Sequence, residues 1–71
     1  MNPKERRRWS EIGRMSWELA REAVEIERKA AKDAADHIWE RVREYGLSEY
    51  ERGILGKWAC DNLKKIREEG K

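Results

Sequence analysis

Very few side chains in this sequence are equipped for chemistry, and their spacing decides what each could do. The one histidine, His37, stands four residues after Asp33 and four before Arg41. On a helix that spacing puts the three side chains on one face. Asp33 and His37 could then form half of a metal site completed by a second chain. A lone Asp/His pair specifies a metal weakly, so the expected state of His37 is a boundary side chain hydrogen-bonded to Asp33. The one cysteine, Cys60, has Lys57 and Lys64 in helical register, and neighbouring cations lower a thiol pKa. No second cysteine or suitably spaced histidine accompanies it, so a catalytic thiol is not expected.

Glu27 falls between Val24 and Ala31, inside an apolar stripe. A stranded charge there is costly, so its stem should pack while its carboxylate reaches Arg28, Arg41 or a partner chain. One carboxylate without a neighbouring base makes no catalytic constellation. No Gly-rich phosphate loop, nucleophile elbow or paired-histidine motif occurs. The sequence therefore points away from an enzyme, and no cofactor, metal or catalytic residue is expected.

Recognition offers more. Lys4, Arg6, Arg7, Arg8 and Arg14, against Glu5 and Glu11, give the first 14 residues a net charge of +3 in a chain whose total is +2. Trp9 lies among them, and cations beside an aromatic ring suit a nucleic-acid backbone and a stacked base. A solvated helix end is the plainer reading. Four tryptophans are many for this length. Trp17 and Trp58 fall on expected inner faces, whereas Trp9 and Trp39 sit toward edges where a partner would find them. Gly53, Gly56 and Cys60 form a strip of small residues that invites close helix packing or a ligand. Asn62, in the middle of an apolar face, has the position of a residue that fixes register.

These residues require helices to hold them. Asn2 suits an N-cap, Pro3 the first helical position and Glu5 the third. No proline follows, and Gly13 is the only glycine before Gly46. Gly46 fits a left-handed C-cap, and Ser48 with Glu51 forms a capping box opening a second helix that Gly70 ends. The expected elements are a helix over about 3–45, a tight turn at 46–48 and a helix over about 49–69, all within one helical domain, 1–71.

Trp17, Ala20, Val24, Ala31, Ala35, Ile38, Val42 and Tyr45 form one stripe of the first helix. A second stripe runs beside it through Ile12, Met15, Leu19, Ala23, Ile26, Ala30 and Ala34. The opposite face carries Glu/Arg pairs at i,i+3 and is solvated. At about 1.5 Å per residue the first helix would span roughly 65 Å and its antiparallel partner roughly 30 Å. A partner of half the length leaves the Trp9–Ile26 half uncovered, which marks a binding surface. Two solutions follow. A continuous helix would pair with a second chain in a four-helix bundle, and this homodimer is the favoured arrangement. Otherwise the helix breaks, at Gly13 or near Lys32–Asp36 with an Asp as new N-cap, and a three-helix monomer forms.

With 45% charged residues, no Phe and no second cysteine for a disulfide, the core must be small. No apolar run approaches the roughly 18 residues of a membrane span. The basic start lacks an apolar stretch behind it, so neither a signal peptide nor a membrane anchor is expected. One free thiol suits a reducing cytoplasm. The function expected is that of a small helical interaction or oligomerisation module, binding a protein partner through Trp9, Trp17, Val24, Glu27, Ile38 and Trp39. A nucleic-acid-associated regulator using the basic segment is the alternative. The consistent caps and ion pairs would also suit a designed helical protein, against which the internal glycines and the free cysteine speak.

Overall fold

Asn2 caps the first helix as its type and position require: its Oδ1 accepts the Glu5 N–H at 2.9 Å, and Pro3 follows at the first helical position. The computed structural model describes residues 2–70. The first helix, α1, runs Pro3–Ala30. Ala31 then turns left-handed, at φ 53° and ψ 30°, and ends it. Asp33 opens α2 (Ala34–Arg41), its Oδ1 accepting the N–H groups of Ala35 and Asp36 at 2.9 and 3.2 Å. A 3-10 turn, Val42–Tyr45, follows, and Gly46 closes it at φ 67°. Ser48 and Glu51 form the expected capping box at the start of α3 (Glu49–Glu69). All regular structure among the described residues is helical.

The continuous helix over 3–45 is thus corrected to two helices joined at 31–33. A left-handed non-glycine residue costs about 1–2 kcal/mol, and Ala31 carries that cost. Two things offset it. The chain reverses, so that Ala34, Ile38 and Val42 are buried instead of projecting beyond any cover. The new N-terminus is also capped twice, by Asp33 and by Glu27, whose Oε2 accepts the Ala34 N–H at 3.2 Å.

A second correction concerns direction. Contacts between α1 and α3 ascend together along both helices: Arg8 with Glu51, Ser16 with Asn62, Glu27 with Arg67. The two long helices therefore run parallel rather than as an antiparallel hairpin, with α2 returning between their ends. The wide apolar face of α1 is covered within one chain, by α3 on one side and α2 on the other. The core is Ile12, Leu19, Ala20 and Ala23 of α1, Ala34, Ile38 and Val42 of the returning segment, and Leu55, Ala59 and Leu63 of α3. One polar pair lies within it. Ser16 Oγ–H donates to the Gly13 carbonyl at 2.6 Å, and Asn62 Nδ2–H donates to Ser16 Oγ at 2.9 Å.

Candidate functional site

The most exposed large apolar surface follows from the parallel arrangement. Tyr50, Ile54 and Trp58 recur every fourth residue, so α3 presents them in one row. They stand to one side of the buried Leu55 and Ala59. Beside α1 this row receives Trp9: its ring meets Tyr50 edge-on at 6.1 Å and 86°, and Trp58 at 5.8 Å and 56°. The four side chains line an open hollow of ≈ 440 Å³. Tyr50 keeps 70% of its surface in solvent. Trp9, Ile54 and Trp58 are half-buried against the core. This aromatic crease is held by a two-pronged ion pair. Arg8 Nε and Nη2 donate to Glu51 Oε2 and Oε1 at 2.7 and 3.0 Å. That guanidinium, aided by Ser48, holds the Glu51 carboxyl down to about 2.

Trp58 also borders a second, smaller slot of ≈ 290 Å³. It is lined by Trp17 and Trp58 together with Gly13, Ser16, Asp61, Asn62 and Lys65. Gly13 leaves the space open, since a β-carbon there would meet only the edge of Trp58, at 4.0 Å. The Lys65 ammonium stands 5.9 Å from the centre of the Trp17 ring.

The structure redistributes the residues singled out from sequence. Ile38 is fully buried, so it serves the core and no outer surface, and Val24 packs half-buried against that core. Glu27 is an internal brace: beyond capping α2 it accepts from Arg67 Nη2 at 2.7 Å. Of the expected partners Arg28 and Arg41, neither is used; Arg41 reaches Glu22 and Glu44. His37 Nε2 lies 3.0 Å from Glu22 Oε2 across the α1–α2 interface, because Asp33 is occupied as a cap. Trp39 lies on the far side from the crease, against α3. A β-carbon at Gly56 would fall 2.3 Å from its ring, so Gly56 is the seat for an indole rather than for a backbone or ligand. Gly53, by contrast, has nothing near it. Burial, followed by Asp61, pushes the Cys60 thiol up; Lys64 opposes this without prevailing, so the neighbouring cations do not lower it.

Lys4, Arg6, Arg7, Arg8 and Arg14 are all exposed on α1, as expected. Lys4 and Arg8 border a hollow of ≈ 580 Å³ that shares Trp9 and Tyr50 with the crease. Within that hollow Glu5 and Glu51 balance them, so the crease is close to neutral. Tyr50, Ile54 and Ser16 were not singled out from sequence, and Trp58, expected on an inner face, is half-buried and lines the crease. Tyr50 has an available signal, the 50/54/58 spacing beside the core register. Ser16 has one too, standing four residues after Ile12 and four before Ala20 in the buried register of α1.

Among the described residues no helix is long and apolar enough to cross a membrane. Compared with protein-family models, curated proteins and solved structures, the chain has no significant match.

Proposed function

We propose that this chain is a non-enzymatic interaction and oligomerisation module whose working surface is the crease of Trp9, Tyr50, Ile54 and Trp58. The observation that carries the reading is the contiguous, half-covered aromatic row ending in a Tyr50 that is 70% exposed. Tyr and Trp are the side chains that most often anchor interfaces, because each removes a large apolar area from water while keeping a polar tip. The titratable groups support the same reading: Glu27, Asp33, Glu51 and His37 are engaged as caps and braces.

The partner is, in the first instance, a second copy of the chain. The crease is apolar and close to neutral, so two copies can face each other without charge conflict, and a two-fold dimer is the commonest solution for such a surface. This dimer differs from the four-helix arrangement expected from sequence, since it needs only the crease and not an uncovered helix. Light scattering after size exclusion tests it. The mass should rise above that of the 8.5 kDa chain with concentration. Tyr50→Glu should return it to the monomer with helicity unchanged. A mass that rises equally in that variant would remove the crease from the contact.

A further inference from the structure

The slot beyond Trp58 has a polar floor that the core does not use up. Ser16 gives its only proton to the Gly13 carbonyl, so its oxygen can only accept, and it takes the Asn62 Nδ2–H. That fixes the orientation of the Asn62 amide. Its Oδ1 takes no hydrogen bond from the protein and, since every buried side-chain polar atom among the described residues is paired, it reaches solvent where Asn62 lines the slot. A second acceptor, the Asp61 carboxylate, lines the same slot and makes no ion pair among the described residues. Lys65 adds one cation, stationed on the Trp17 ring. Two indoles and a glycine in its lining offer apolar surface to a flat ring. At ≈ 290 Å³ it matches the lower end of the roughly 300–1,000 Å³ of ligand cavities.

We propose that this slot binds a guanine base, stacked against Trp17 and Trp58 and read at its edge by Asp61 and Asn62. The pattern of two acceptors and one cation selects the base. Guanine presents two adjacent donors, N1–H and N2–H, beside a carbonyl oxygen. Adenine and cytosine each offer one exocyclic amino group next to a ring acceptor, and uracil a single N–H between two carbonyls. The incoming ring replaces the Lys65 ammonium on Trp17, leaving Lys65 free for O6 or a phosphate. The inference is separate from self-association, which shares Trp58 but needs Tyr50.

The test uses the full chain labelled with ¹⁵N, titrated with GMP, AMP and UMP at up to about millimolar concentration, where a contact of this size is measurable. GMP should shift the indole N–H signals of Trp17 and Trp58 and leave Trp39 in place. Asp61→Asn, an exposed change that keeps helicity, should weaken GMP about tenfold, in line with the loss of one paired edge contact. It should barely alter AMP. Gly13→Val fills the floor and should abolish binding. Trp17→Ala should cost roughly 5- to 150-fold if it folds, the range for one stacked base. A heptanucleotide with one central G, against its all-U counterpart, distinguishes the source. Tighter binding of the G-containing strand than of GMP assigns the slot to nucleic acid, and equal binding assigns it to a free nucleotide. No indole shift with GMP, equal shifts with all three nucleotides, or binding unaffected by Asp61→Asn would each overturn the assignment. Tyr50→Glu should leave GMP binding intact, so failure here and failure of the self-association reading remain distinguishable.

Discussion

Gly56 owes its place to Trp39. Alanine would favour the helix by about 1 kcal/mol over glycine, yet a β-carbon would sit 2.3 Å from the Trp39 ring, which must then swing out. Roughly half of that indole is covered, about 100 Å², worth about 2.5 kcal/mol. Packing wins over propensity, and Gly56→Ala should lower stability by about 1 kcal/mol. Urea unfolding measures this, and the Trp39 ring should become more accessible to iodide quenching. The Ser16–Asn62 bond allows a sharper comparison. Ser16→Ala strands a buried amide N–H and should cost about 1–3 kcal/mol. Ser16→Ala combined with Asn62→Leu should cost less than the two single changes together, which a double-mutant cycle reads directly. Asn62 was legible in the sequence, because a polar residue inside an apolar register declares itself. Ser16 also stands in an apolar register, four residues from Ile12 and from Ala20, but its pairing with Asn62 was not legible, because only the parallel packing of α3 brings the two together.

At the scale of elements, the helix ends were legible, and the joint only as the less favoured of two solutions, a break near Lys32–Asp36 with an Asp as new N-cap. Asn2, Gly46 and the Ser48–Glu51 box behave as their types dictate. The break at Ala31 has no glycine or proline to announce it, and alanine is the best helix former. The signals present were weaker: Asp33 as a potential cap, and an apolar face too wide for one neighbour. Tertiary packing decided the matter, since only a reversal lets Ile38 and Val42 reach the core. Ala31→Gly should therefore raise stability by up to about 1 kcal/mol by relieving the left-handed strain. Ala31→Val, β-branched, should lower it, and thermal unfolding of the pair checks the sign. The clip between the starts of α1 and α3 predicts an acid response. Glu51 is held down to about 2 from the usual 4.5 by Arg8. Its contribution is complete above the usual carboxylate range and is lost as pH falls from there toward 2. Urea midpoints should thus decline across that window, less so in Glu51→Gln.

The whole molecule is a slab, with extents of 40 × 24 × 13 Å. A body that thin cannot enclose four tryptophans, so Trp9, Trp17 and Trp58 each pack one side and leave the other toward solvent. The sequence foretold all-helical architecture and a surplus of apolar surface, but placed that surplus on an uncovered half of α1. Folding α2 back and running α3 parallel moved it to the crease between α1 and α3. The central claim is that this crease is the contact surface, and the indole N–H signals followed against protein concentration test it most directly. Up to about 1 mM, where a contact worth about 4 kcal/mol is half formed, Trp9 and Trp58 should shift together while Trp39 stays fixed. Four indole signals independent of concentration, with the mass of a single chain throughout, would contradict it.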